Sequence, residues 1–162
     1  MEENENLNVV FLTSPVGILK IEGTPQGITC LTFCNRMGRE DPANVLLDCR
    51  QQLHEYFYKD RKQFTIPLMP SGTDFQKKVW KRVLDIPLGQ TLSYSELAID
   101  LGDIKKVRAV GLANSKNPIP ILIPCHRVVG KDGELTGYAG GLNRKKWLLD
   151  HERGWVQLSL FS

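Results

Sequence analysis

Three prolines, Pro118, Pro120 and Pro124, fall within the apolar run NPIPILIPC, and this run sharply limits what that part of the 162-residue chain can become. Each proline fixes its own φ and disfavours helix at the residue before it, so the segment is expected to run extended and to deliver Cys125 at its end. His126 follows directly. A free thiol, with a pKa of about 8.5, is only a few per cent ionised at neutral pH, so a nucleophilic Cys125 needs a base or an electropositive setting. Consecutive side chains of an extended segment point to opposite faces, which argues against a direct Cys125–His126 hydrogen bond. A relay through water, with a carboxylate from elsewhere orienting the imidazole, would serve instead.

Cys30, Cys34 and Cys49 complete a set of four cysteines too few and too irregular to staple a chain of this length, so reduced thiols are expected. The spacing of Cys30, Cys34, Cys49 and His54 fits no usual zinc motif, and no metal is expected there. The opening MEENENLNVV has no basic segment or long apolar core, and PIPILIPC is far too short to span a bilayer. The expectation is a soluble cytoplasmic protein, nuclear in a eukaryote, with no membrane association. The net charge of +3 says little, but residues 71 to 162 hold 14 Lys/Arg against 9 Asp/Glu, a balance suited to a polyanion. An ordinary basic surface fits the charge equally well.

NVVFLTS, GILKIEG and GITCLTF are β-branched segments separated by the turns SPVG and GTPQG, which predicts a small antiparallel sheet. PANVLLDCRQQLHEYFYKD repeats apolar residues at Val45, Leu46, Cys49, Leu53 and Phe57, a helix to pack on that sheet. The Pro- and Gly-rich stretch IPLMPSGT marks a boundary, giving domains 1–70 and 71–162. DFQKKVWKRVLDI predicts a helix burying Phe75, Val79, Leu84 and Ile86, with Trp80 and Val83 widening the stripe. Ser93-x-x-Glu96 reads as a capping box and Gly102 as the stop of a short helix, with KKVRAVGLANS a second helix close behind. That pair has the layout of a helix-turn-helix; a helical hairpin without a DNA role is the alternative. Ala109, Gly111 and Ala113 suggest a nearly bare face on the second helix. With Lys105, Lys106 and Arg108 at its start, phosphate or groove contact becomes reasonable. GLNRKKWLLDHERG predicts a last helix that buries Leu142, Trp147 and Leu148 and carries Glu152 at its end.

IPCHRVVG, preceded by RAVGLANSKNPIPILIP and followed by GELTGYAGGLNRKKWLLDHE, resembles the methylated-DNA–protein-cysteine methyltransferases, or O6-alkylguanine-DNA alkyltransferases. The match runs from about Thr73 to Gly154. It implies an α+β chain: an RNase H-like N-terminal sheet with one helix, then a helical domain with a winged, helix-turn-helix-like motif. By resemblance Cys125 is the alkyl acceptor, His126 deprotonates it through a water, Glu152 orients His126, and Asn117 ties the loop to the preceding helix. Arg127 is read as structural. Arg108 would fill the stack left by a flipped nucleotide, and the helix bearing Ala109, Gly111 and Ala113 would lie in the minor groove, with Lys105 at the DNA.

The same resemblance puts Tyr94 near the flipped nucleotide, the amide of Ala139 at O6, the carbonyls of Cys125 and Val128 at the exocyclic amine, and Tyr138 and Pro120 as walls. It implies single-turnover repair of O6-alkylguanine in double-stranded DNA, with O4-alkylthymine a second candidate lesion, no cofactor, and a monomer. Two rival readings remain: a lesion-recognition protein without transfer, argued against by the presence of Cys125, and a Cys-His hydrolase, which leaves the arginine-bearing helix unexplained.

Overall fold

The structure, a computed structural model, describes residues 7–160. Contacts divide the chain into two compact units, with the division between Ser71 and Gly72.

The first unit is built on a three-stranded antiparallel sheet, β1 (Asn8–Ser14), β2 (Gly17–Thr24) and β3 (Gly27–Cys34), in that order. Period-two alternation sets its register: Leu19 and Ile21 of β2 are fully buried while Lys20 and Glu22, which alternate with them, reach water. Each edge strand is paired at one position by a short bridge, Val9 with Asp41 on β1 and Ile28 with Leu68 on β3. α1 (Asn44–Tyr58) lies on the sheet through Leu46, Cys49, Leu53 and Phe57.

The second unit holds α2 (Asp74–Leu84), β4 (Leu92–Ser93), α3 (Tyr94–Asp100), α4 (Val107–Ser115), β5 (Val128–Val129) and α5 (Leu142–Leu160). α2 starts with a complete capping box between Thr73 and Gln76 and buries Val79, Trp80 and Val83. Gly72 is needed there, because a Cβ on it would sit 2.5 Å from the Trp80 ring. The expected burial of Leu84 is not observed; it is 44% exposed, one residue before the helix closes on Asp85. At α3, Ser93 caps the helix by accepting the Glu96 amide at 3.0 Å, and Gly102, at φ 99°, follows the C-cap. α4 packs against both α2 and α3. β4 and β5 form a parallel two-residue ladder, Leu92 with Val128 and Ser93 with Val129. This ladder ties the start of α3 to the exit of the cysteine segment.

α5 departs from expectation in two ways. It runs on through Gly154, so Glu152 sits within the helix and not at its end. Its buried stripe is Lys145, Leu148, Leu149 and Glu152, the i, i+3, i+4, i+7 face, whereas Trp147 is half-buried and Leu142 is 48% exposed. Leu142 opens the helix, and its side chain points back beyond the first turn, where nothing covers it.

Candidate functional site

The proline run is not an extended rod. It folds back at Ile121, which has a φ of 73°, with Ile123 N–H donating to the Ile119 carbonyl at 2.9 Å. Pro124, at φ −80° and ψ 61°, then forms an inverse γ-turn that Cys125 N–H closes onto the Ile123 carbonyl at 2.7 Å. Proline restrains itself and its predecessor, and Ile121 and Leu122 are neither, so the chain turns where the restraint lapses. A positive φ on a buried β-branched residue is strained, and the surroundings must enforce it. Asn117 contributes to that: its amide donates to the Ile123 carbonyl and accepts from Ile119 N–H, both at 2.9 Å. Pro120 is buried and bridged to Ile123.

Residues 125–127 form a single 3-10 turn, so Cys125, His126 and Arg127 fan out into the protein instead of alternating. All three are buried. His126 Nε2 lies 2.7 Å from Glu152 Oε2, Arg127 Nε donates to Glu152 Oε1 at 2.8 Å, and Arg127 Nη1 donates to the Ile86 carbonyl at 2.7 Å. Burial alone would raise the Glu152 carboxyl, but the charge and hydrogen bond of His126, with Arg127, hold it at about 2. The other ring nitrogen of His126, Nδ1, has no hydrogen-bond partner among the described residues. The Cys125 thiol is pushed up to about 11 by burial, with the Asn117 amide, the Lys145 charge and the amides of Cys125 and His126 pulling it back. At neutral pH the resting site therefore holds Cys125 as a thiol.

A groove of about 360 Å³ opens beside α4, lined by Tyr94, Val107, Arg108, Gly111, Ser115, Thr136 and Gly137. The outward face of α4 is Arg108, Ala109, Leu112 and Ser115, with Leu112 61% exposed and the C-cap Lys116 exposed beyond it. Ala113 does not belong to it. It is 3% exposed, and its carbonyl takes the Trp80 indole N–H at 2.8 Å. Gly111, two residues from Ala109 and so on a different side of the helix, turns towards Tyr94. Lys105 is exposed in the 3-10 turn that precedes α4.

Lys145 and Asn114 join the site without a motif to announce them. Lys145 is fully buried, and its Nζ donates to the carbonyls of Val128 at 2.6 Å and Thr136 at 2.7 Å. Burial pushes its pKa down to about 8, with Cys125 opposing the shift. Asn114 Nδ2 donates to the Cys125 carbonyl at 3.3 Å. The Tyr94 hydroxyl donates to the Thr136 carbonyl at 3.2 Å, and burial raises its pKa. Tyr138 is half-buried, its hydroxyl also raised, first by burial and then by Cys125. Ala139 is exposed, and Val128 is fully buried in β5. Of the cysteines away from the site, Cys49 is pushed up to about 12 by burial on α1, and Cys30 is raised on β3. Among the described residues no group of three or more His, Cys, Asp or Glu could hold a metal.

The second unit thus combines a buried thiol, imidazole and carboxylate with an exposed arginine on a packed pair of short helices, the layout of a protein that pairs a cysteine site with a helix-turn-helix-like motif. Residues 74–154 match the DNA binding domain of 6-O-methylguanine DNA methyltransferases, and residues 9–70 match their ribonuclease-like domain. The chain is 45% identical over 149 residues to the methylated-DNA–protein-cysteine methyltransferase of Methanosarcina barkeri, covering 88% of this chain and 94% of that one. It is 50% identical over 123 residues to the constitutive methylated-DNA–protein-cysteine methyltransferase of Bacillus subtilis, covering 75% and 73%. The crystal structure of Mycobacterium tuberculosis O6-methylguanine methyltransferase superposes with a TM-score of 0.84 at 39% identity, over 96% of this chain and 99% of that one. Mycobacterium tuberculosis OGT in complex with DNA gives 0.82 at 41% identity, over 94% and 98%. The chain belongs to the 6-O-methylguanine DNA methyltransferase family.

Proposed function

We propose that the protein repairs DNA by moving the alkyl group of O6-alkylguanine irreversibly onto Cys125, with O4-alkylthymine a second candidate lesion. Beyond family membership, one observation carries the reading: on the residue that follows the buried Cys125, Glu152 holds His126 Nε2 at 2.7 Å while Nδ1 has no hydrogen-bond partner among the described residues. His126 takes the Cys125 proton through a water, and Glu152, held ionised, stabilises the imidazolium that results. The thiolate attacks the alkyl carbon. The S–C bond forms as the C–O6 bond breaks, and the guanine leaves with the electron pair, its developing charge met by hydrogen bonds from the site. Protein and lesion supply every reactant, so the transfer needs no cofactor. The thioether has no route back to a thiol, which makes the reaction one turnover per molecule.

DNA is the partner, approached from the minor groove. The exposed face of α4, with Arg108, Ala109 and Leu112, enters the groove, and Arg108 fills the stack vacated by the flipped nucleotide. Lys105 meets a phosphate. The groove beside Tyr94 admits the base, with the Ala139 amide at O6, the Cys125 and Val128 carbonyls at the exocyclic amine, and Tyr138 and Pro120 as walls. Asn117 keeps the loop that carries Cys125 in register. In this scheme residues 71–162 bind DNA and accept the alkyl group, while residues 1–70 form the N-terminal domain. The protein acts as a cytoplasmic monomer. Among the described residues no helix is long and apolar enough to cross a membrane.

The test is transfer of a labelled methyl from a duplex containing O6-methylguanine. Label on the peptide that carries Cys125, and none on the Cys125→Ser protein, is the expected result; label that stays with the DNA refutes the proposal.

A further inference from the structure

We propose that Leu112 makes repair depend on the lesion's neighbours: it lies against the floor of the minor groove within about two base pairs of the lesion and disfavours a guanine amine there. The inference rests on the minor-groove approach proposed above and adds to it a reading of the flanking sequence.

Among the described residues no large apolar side chain is more exposed than Leu112. Stepping about 100° per residue, α4 puts Leu112 about 40° from Arg108 and about 60° from Ala109, in the middle of the outward face. The groove that admits the base opens on the other side of Arg108, along Val107, Gly111 and Tyr94, and Leu112 lines no part of it. Leu112 therefore meets the duplex and not the lesion base. Four residues of helix rise about 6 Å and bases stack at about 3.4 Å, so when Arg108 enters the stack, Leu112 comes against a pair one or two steps away.

Every base pair shows acceptors in the minor groove, and only a pair containing guanine adds a donor, the N2 amine. Lys105, Lys106 and Arg108 are exposed donors, suited to those acceptors and to phosphates. Leu112 and Ala109 offer the amine nothing. Ser115 is the one residue of the outward face whose side chain has an acceptor, and its hydroxyl is drawn back onto the Leu112 carbonyl at 2.6 Å. Seated on a G·C pair, Leu112 strips water from the amine and returns no hydrogen bond; seated on an A·T pair, it covers apolar surface without that loss.

Second-order rate constants for methyl transfer are measured on duplexes with one O6-methylguanine that differ in a single pair, placed in turn at each of the two positions on either side of the lesion. G·C and 2,6-diaminopurine·T carry the amine; A·T and hypoxanthine·C lack it. The amine also strengthens pairing, so the series is repeated with Leu112→Ala, in which a preference caused by duplex stability survives. Each preference is a ratio of rates within one preparation, so the folded fraction cancels. The wild type is expected to react about tenfold faster with the amine-free pairs at one of these positions, the value of one unpaired donor. Leu112→Ala is expected to lower that preference to about twofold. Leu112→Asn, which brings an acceptor to the amine, is expected to abolish it, and it carries the same comparison if the alanine variant yields no folded protein. A preference kept by these variants, or a wild type with no preference at any position, overturns the inference and leaves the repair reading intact. A wild type that transfers no methyl from any of the duplexes overturns the proposed function itself.

Discussion

His126 and Glu152 meet at 2.7 Å although 26 residues separate them, and neither side chain is more than 1% exposed. Two elements make the meeting possible. The 3-10 turn at 125–127 throws the imidazole inward, and α5 places Glu152 on the same buried stripe as Leu148 and Leu149. Arg127 binds the same carboxylate, so the group that orients His126 is itself clamped, and that clamp is fixed in turn to the Ile86 carbonyl.

Replacing Glu152 by Gln should slow methyl transfer by about a hundredfold or more, because His126 loses both its orientation and the charge that stabilises its protonated form. The same change should leave a fingerprint in acid. Glu152 is lowered from 4.5 to about 2, so its contribution is fully present above pH 4.5 and is lost as pH falls towards 2. That contribution is about 3 kcal/mol. Urea unfolding should therefore show the gap between wild type and Glu152→Gln narrowing between pH 4.5 and 2; a gap constant across that window contradicts the ion-pair assignment.

Burial holds the Cys125 thiol at about 11, so the DNA-free protein should react slowly with iodoacetamide at pH 7. The rate at Cys125, followed by peptide mapping, should keep rising by about tenfold per pH unit beyond pH 9. A plateau below pH 8 would mean that the resting site already holds a thiolate.

The proposed scheme gives Arg108 a role in holding duplex DNA and none in the transfer step at Cys125. Arg108→Ala should reduce transfer from duplex DNA by about tenfold to a hundredfold while leaving reaction with free O6-benzylguanine unchanged. Leu112→Asp should follow the same pattern, since Leu112 shares the exposed face of α4 with Arg108. Equal losses on both substrates would place α4 in the chemistry instead of the groove.

Asn117→Ala strips the partners from Ile123 O and Ile119 N–H, both buried. Urea denaturation should show a loss of about 2–4 kcal/mol. A loss under about 0.5 kcal/mol, the size of an ordinary surface change, would mean that the Ile121 turn holds itself.

The three strands were readable because alternation and turn residues coincide, and the helix ends at Thr73 and Gly102 because capping is local chemistry. The Ile121 turn was hidden: three prolines argue for extension, and which residue escapes their restraint is decided by the packing that buries it. Of Ala109, Gly111 and Ala113, the 100° step between helical residues separates only Gly111; Ala109 and Ala113 lie within about 40° of each other, and it is packing beside Trp80 that buries Ala113. Lys145 looks like one of a solvated Arg-Lys-Lys run, and only its seven-residue spacing from Glu152 places it on the buried side of α5. Glu152 could be assigned by resemblance, but its pairing with Arg127 as well as His126 depends on a 3-10 turn that an extended reading of the loop excludes.

The most direct test is a count of transfers per molecule. The protein is mixed with an excess of duplex carrying one O6-methylguanine, and the intact mass is followed to completion with peptide mapping. The account predicts one methyl per chain, on Cys125, with repaired DNA equal to the protein added and no further turnover. Repaired DNA in excess of the protein, or an unmodified Cys125 after the lesion has gone, would contradict it.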